Sequence, residues 1–300
     1  MTGFTSEGRP IPPQLIGELV DSSAHLGDGE ALRISLAEHG YLLLRGVVPL
    51  GTALSARQEV LTRLADVGEI DLPGETFSGT SQRNALAPDA GEFLRSVCDG
   101  PRLRAATGDQ HLGEIVSATF GEPARGHDYI YLRVAIPGRG TATHCDYPFF
   151  TRATERVLTC WLCLSDLEFK QGALYVVEGS HRWQQHIDAM RGFDLERANG
   201  ARQATLSDDI AAFAQAHDTR LLTAKINAGD IMLFGMNLIH GAFDHRAPDM
   251  PVRVSCDVRW QPESEPFDPR YMAPGLGGTF GGGYGELNAA KPLTEDWHKR

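Results

Sequence analysis

Residues 230–243 read DIMLFGMNLIHGAF. The run is apolar and short. Gly229-Asp230 opens it, and the polar turn DHRAPDMP (244–251) follows. Such a segment is expected as a buried strand that carries His240 near its end. Its neighbours have the same character. RLLTAKINAGD (220–230) precedes it and PVRVSCDVRWQP (251–262) follows it. Upstream, DYIYLRVAIPG (128–138), ERVLTCWLCLSDL (155–167) and GALYVVEGSH (172–181) repeat the pattern. Each is bounded by Gly, Pro, Asn or Asp. Short strands with turn signals and few helices between them point to a sandwich or barrel.

The first third reads differently. Residues 12–24 (PPQLIGELVDSSA) and 28–40 (DGEALRISLAEHG) space apolar residues near 3.6, with Gly40 as a stop. YLLLRGVV (41–48) is expected as a buried strand, and 50–66, 91–98 and 109–120 as helices. Residues 70–90, rich in Gly, Ser, Thr, Pro and Asn, are expected as a flexible loop over a pocket. The segment 184–219 is a polar, helix-prone insertion. The glycine-rich run GLGGTFGGGYGE (275–286) does not sit between a strand and a helix, so it lacks the context of a phosphate loop. The expected architecture is one domain over 1–300. An α-helical N-terminal layer (1–123) lies on a mainly β core (124–262), and an irregular tail (263–300) follows.

Composition narrows the partners. A net charge of −11 leaves no basic excess to neutralise phosphates, which argues against nucleic acid, and also against an anionic membrane. No apolar run reaches the ~20 residues needed to span a bilayer. The N-terminus MTGFTSEGRPIPPQ has no basic start followed by an apolar core, so no signal peptide is expected. Five cysteines at irregular spacing are not a disulfide framework. Cys160 and Cys163 form a CxxC, but inside a strand-like run and without a second pair. A reduced, cytoplasmic chain is the expectation.

The chemistry starts at THCDYPFF (143–150). On a strand or its extended end, His144 and Asp146 share a face and can grip one ion. His240, at the end of a buried strand, is the best third ligand. His245, in the following polar turn, is a weak rival. Two histidines and one carboxylate are the donor set of the non-haem iron(II) facial triad, which leaves three positions open. Arg253 lies 13 residues past His240 at the start of the next strand. An arginine inside a β core needs an anion. A dicarboxylate such as 2-oxoglutarate supplies one for its planar fork. Arg259 is the runner-up for that role. It shares Arg253's face but lies six residues on, so it is expected deeper or at the far end.

Four ordered segments carry a family resemblance: EHGYLLLRGVV (38–48), HCD (144–146), QGALYVVEGSHRW (171–183), and AGDIMLFGMNLIHGAF (228–243) with RVSCDVRW (253–260). The sequence resembles the phytanoyl-CoA dioxygenase-like family of Fe(II)/2-oxoglutarate-dependent oxygenases. The resemblance implies a double-stranded β-helix, a jelly-roll core of cupin type. It implies conversion of 2-oxoglutarate and O2 to succinate and CO2, with an oxidant on the iron that takes hydrogen from a small-molecule substrate. It implies His144, Asp146 and His240 as iron ligands and Arg253 as the 2-oxoglutarate anchor. Thr159 is similar to positions that bond the cosubstrate, and Ser255 is placed to assist Arg253. Arg133 and Arg182 are similar to arginines that meet a substrate carboxylate, and Tyr147, Phe149 and Phe150 are expected along the pocket mouth. His181 of the GSH segment is expected to be structural. A carboxylate at position 146 argues against halogenation, which needs a small residue there. Hydroxylation, in specialised biosynthesis, is the reaction expected. Desaturation, epoxidation and ring formation use the same oxidant. Two other readings stay open on residues alone: a cupin-like metal enzyme without 2-oxoglutarate, and a binding module that kept the fold.

Overall fold

The computed structural model describes residues 3–198, 200–272 and 291–295. Ten strands build its centre. They are β1 (Ile16–Glu18), β2 (Tyr41–Leu44), β3 (Ala124–Ala135), β4 (Thr141–His144), β5 (Leu158–Cys163), β6 (Leu174–Val177), β7 (Leu221–Thr223), β8 (Ile231–Gly235), β9 (His240–Ala242) and β10 (Arg253–Pro262). A first sheet runs β1-β7-β6-β9-β4, and a second runs β2-β8-β5-β10-β3. Apart from β1, which joins β7 in parallel, neighbours within these sheets pair antiparallel. The two sheets form the double-stranded β-helix.

Strand alternation sorts the side chains into layers. In the second sheet Leu42, Leu44, Ile130, Leu132, Val134, Cys160, Leu162, Val254, Cys256 and Val258 face outward, into one apolar cluster. Tyr41, Leu43, Trp161, Cys163, Met232 and Phe234 face inward, where they meet Leu174, Val176 and Leu222 of the first sheet. The outer cluster is roofed by five helices: α1 (Gly29–His39), α2 (Leu50–Asp66), α3 (Ala90–Cys98), α4 (Pro101–Thr107) and α5 (Gln110–Phe120). α2 buries Ala53, Ala56, Val60, Leu61 and Leu64, the three-and-four spacing of one helix face. Asp28 caps α1 by accepting from the amides of Glu30 and Ala31, and Gly40 ends it in the left-handed region at φ 81°.

Three expectations are corrected. Residues 12–24 are not a helix. Pro12-Pro13 opens a single 3-10 turn, and Ile16–Glu18 then joins the first sheet as an edge strand. Gly17 allows this, because a Cβ there would lie 2.5 Å from Leu222. The single strand expected over 230–243 is two strands, β8 and β9, which belong to different sheets, so the chain crosses between sheets at residues 236–239. Residues 70–90, expected as a flexible loop, carry regular structure. They form a short hairpin (Ile70–Asp71 with Thr76–Phe77) and a helical turn Arg83–Leu86, pinned by a buried Arg83–Glu69 ion pair at 2.5 Å. Phe77 packs on the outer cluster, and Glu75 accepts from the amide of Val252. α4 went unforeseen. The run 275–286 lies outside the described residues.

The cysteines are free and buried. Cys160 and Cys163 lie within β5, where burial pushes both thiols up. No helix among the described residues is long and apolar enough to cross a membrane.

Gly229, at φ 91°, turns the chain into β8, and a Cβ there would lie 2.2 Å from the Val48 carbonyl oxygen. Gly229→Ala is expected to cost about 2 kcal/mol or more, from left-handed strain and the backbone clash together. Urea unfolding checks this, and an unchanged midpoint contradicts it.

Candidate active site

His144 ends β4 and His240 begins β9, and the two stand opposite each other in the antiparallel register. Their ring centroids are 4.3 Å apart. Asp146 reaches the same point by a different route. It has left the strand and sits in the helical region, at the start of the one-turn helix Tyr147–Phe150. A ligand atom from each of His144, Asp146 and His240 lies within 4.8 Å of the others, and all three residues are buried. The pair HxD therefore converges through a strand end and a turn, not through alternation along one strand.

Backbone carbonyls set the tautomers. His144 Nδ1 is 2.7 Å from the carbonyl of Ala142, and His240 Nδ1 is 3.0 Å from that of Leu238. A carbonyl only accepts, so each Nδ1 carries the proton and each Nε2 presents a lone pair. Burial pushes the His240 pKa down and favours the neutral ring. The carboxylate is held as firmly. Thr159 Oγ1 donates to Asp146 Oδ2 at 2.6 Å, and Arg259 Nη2 donates to the same oxygen at 2.8 Å. Oδ1 accepts no hydrogen bond among the described residues and lies 3.6 Å from His144 Nε2. Burial alone would raise the Asp146 pKa. The Arg259 guanidinium, with the Thr159 hydroxyl, overcomes that and holds it well below the usual carboxylate range.

The inner face of β10 supplies the rest. Alternation lines up Arg253, Ser255, Asp257 and Arg259 inside the barrel, all buried. Arg253 Nη1 donates to the Gly172 carbonyl, while its Nε has no partner among the described residues. Ser255 Oγ and Trp161 Nε1 are also buried without one. Burial, then the charge of Arg133, pushes the Arg253 pKa down to about 10, so it stays a cation at neutral pH. Arg253, Trp161, Arg133 and Thr141 line a small cavity that His144 and His240 also border. Arg133 donates through Nε to Asp257 at 2.7 Å and stacks over Tyr131. Asp257 is also 3.9 Å from Arg259.

The structure thus brings His144, Asp146, His240, Arg253 and Arg133 together. The Thr159 hydroxyl turns to Asp146 and not to the cavity. Arg182 is not brought in: it is exposed on the turn Ser180–Arg182. Tyr147 and Phe149 are buried in an aromatic cluster with Phe150, Phe193 and Tyr271, beside the cavity and not in its lining. His181 lies 3.3 Å from the Ala37 carbonyl, under Gly40, and His245 is not in the His–Asp–His group. Trp161 and Asp257 were missed. Alternation carried the signal for both: Trp161 shares a face with Thr159, and Asp257 with Arg253.

The family model for phytanoyl-CoA dioxygenase (PhyH) matches residues 36–253. The chain belongs to the phytanoyl-CoA dioxygenase family. It is an iron- and 2-oxoglutarate-dependent non-haem oxygenase, with O2 as cosubstrate. It is similar to the 1-deoxypentalenic acid 11-beta-hydroxylase of Streptomyces arenae, with 24% identity over 267 residues, 82% of this chain and 86% of the relative. The enzyme of the same name from Streptomyces exfoliatus is 23% identical over 269 residues, 83% and 87% of the two chains. The fold is similar to that of the non-heme alpha ketoglutarate dependent epimerase SnoN from nogalamycin biosynthesis. That match has a TM-score of 0.56 at 16% identity and covers 81% of this chain and 87% of that one. The carbocyclase SnoK from the same biosynthesis aligns with a TM-score of 0.53 at 19% identity, over 93% and 98%.

Next to the aromatic cluster, His127 is buried. It stacks on Tyr271 and lies 3.1 Å from Gln261 Oε1. Burial pushes its pKa down to about 4 from the ordinary 6.5. Below pH 6.5 the unfolded chain takes up a proton that the folded chain refuses until about pH 4. Stability present at neutral pH is therefore lost as pH falls through that window, about 2 kcal/mol from His127 by pH 5. His245, pushed down to about 4 by burial, adds to the same slope. Urea unfolding at pH 7 and pH 5 should show a smaller loss in His127→Gln than in wild type. An equal loss in the two proteins contradicts this account.

Proposed function

We propose that this protein hydroxylates a small carboxylic acid, with His144, Asp146 and His240 holding the iron and Arg253, Ser255 and Trp161 holding the distal carboxylate of 2-oxoglutarate. The donor set fits the metal: two imidazole Nε2 lone pairs and one carboxylate oxygen without a hydrogen bond converge in a buried site. When bound, iron(II) with 2-oxoglutarate supplies the oxidant that cleaves a substrate C–H bond.

The observation that carries the reading is the row of unanswered donors. Arg253 Nε, Ser255 Oγ and Trp161 Nε1 are buried without partners among the described residues. A carboxylate between them would accept from all three, and Arg253 would meet it as a charge-assisted fork. The same ligand's other end would then lie toward His144 and His240, which border the cavity that Arg253 and Trp161 line. The aromatic cluster of Tyr147, Phe149, Phe150 and Tyr271 excludes water from this end of the barrel.

The substrate class follows from charge. Three buried guanidinium groups, of Arg133, Arg253 and Arg259, face two buried carboxylates, of Asp146 and Asp257. Iron(II) and the dianion 2-oxoglutarate cancel each other, so one positive charge is left inside the barrel. A substrate monocarboxylate balances it, with Arg133 as its contact. The hydroxylases this chain resembles are named for acting on an acid, which supports the same choice.

Anaerobic Fe(II) and 2-oxoglutarate should give a weak visible charge-transfer band that His144→Ala lacks. 2-Oxoglutarate should raise the melting temperature of wild type but not of Arg253→Ala. Among candidate substrates, small acids should stimulate succinate release and their methyl esters should not. Absence of the band in wild type overturns the metal assignment, and equal stimulation by acid and ester overturns the substrate class.

A further inference from the structure

The metal-site carboxylate has two oxygens, and the structure treats them differently. Oδ2 accepts from both Thr159 Oγ1 and Arg259 Nη2, whereas Oδ1 accepts nothing among the described residues. The two donors are one unit. Thr159 on β5 and Arg259 on β10 stand directly opposite in the antiparallel register. Directly opposed side chains on one sheet face are near neighbours. Thr159, Arg259 and Asp146 are all fully buried.

Arg259 is itself fixed. Its guanidinium lies over the Phe150 ring, 4.0 Å from the centroid, and 3.9 Å from the Asp257 carboxylate. Phe150 belongs to the one-turn helix that Asp146 opens. The segment that carries the carboxylate therefore also carries the ring that orients the clamp.

We propose that Thr159 and Arg259 are positioning residues that occupy Asp146 Oδ2, so that the carboxylate meets the metal through Oδ1 alone. This rests on the reading that His144, Asp146 and His240 hold the iron. The consequence is a count of coordination positions. A carboxylate bound through one oxygen, with two histidines, leaves three positions of an octahedral ion. Two suit a chelating 2-oxo acid and one suits O2. A carboxylate chelating through both oxygens would remove one of the three. Arg259 also balances a buried charge that is costly when alone.

Thr159 gives the cleaner test, because removing Arg259 would leave Asp146 uncompensated and endanger folding. Thr159→Val keeps the shape and removes the hydroxyl, Thr159→Ser restores it, and Arg259→Lys keeps the charge while losing the planar fork. Co(II) binding is measured anaerobically by calorimetry, together with the visible spectrum of the Co(II) protein. Thr159→Val is expected to weaken Co(II) binding about 10-fold or more and to change the spectrum. Thr159→Ser is expected to restore both, and Arg259→Lys to shift the spectrum in its own right. Wild-type affinity and spectrum in both Thr159→Val and Arg259→Lys overturn the clamp. The double change His144→Ala/His240→Ala separates the two levels. Lost Co(II) binding there, with Thr159→Val unchanged, sinks the clamp alone. Wild-type Co(II) affinity and spectrum in the double variant sink the metal-site reading itself.

Discussion

The site depends on the two faces of β10. Val254, Cys256, Val258 and Trp260 look out into the helix-covered core, and Arg253, Ser255, Asp257 and Arg259 look in. A strand with one apolar face and one charged face can be buried on both sides only if the charged face is answered inside the barrel. Asp257 answers Arg133 and stands near Arg259, and Asp146 answers Arg259. Among the described residues Arg253 finds a backbone carbonyl and no carboxylate. The interior is thus a chain of alternating charges that ends on a cation, and that end borders the cavity.

The barrel fixes distances between these charges. Arg253 and Arg259 are six residues apart on an extended strand, about 20 Å along the backbone. They serve opposite ends of the site for that reason. Arg259 lies against the carboxylate that completes the His–Asp–His group, and Arg253 lies beside Trp161 in the cavity lining. The antiparallel pairing of β4 with β9 brings the two histidines opposite each other, although 96 residues separate them in sequence. Neither strand belongs to the sheet that carries the arginines. The site is built across the sandwich, so its geometry is set by the packing between the sheets.

Much of this was readable in advance, for a physical reason. Period-two alternation puts Arg253, Ser255 and Arg259 on one face whatever the fold, and His240 announced itself as a polar residue ending an apolar run. The helices at 28–40 and 50–66 carried apolar stripes that tertiary packing did not override, and the first also had its Asp28 and Gly40 caps. Other features were not local properties. Ile16–Glu18 has a helix-like spacing, and only its pairing with β7 makes it a strand. The crossing between β8 and β9 is set by which sheet each strand joins, and the apolar run 230–243 has no marker for it beyond a single Gly-Met-Asn. The fate of the Thr159 hydroxyl was hidden too, since its partner lies on a different element. Arg182 follows a motif but ends exposed on the turn Ser180–Arg182, and its place in the motif carries no sign of that exposure.

The same interior separates the two metal-enzyme readings that the residues alone left open. A cupin-like enzyme without a dicarboxylic cosubstrate would need the metal group and nothing at the far end of the cavity. Arg253 Nε, Ser255 Oγ and Trp161 Nε1, which have no protein partner among the described residues, would then be answered by nothing the enzyme needs. A buried donor without an acceptor costs about 1–3 kcal/mol, more for one on a charged side chain. A bound carboxylate brings two oxygens, enough to accept from all three donors, and its charge answers the Arg253 cation. On the proposed reading the cosubstrate occupies the far end of the cavity and the ion the His–Asp–His end.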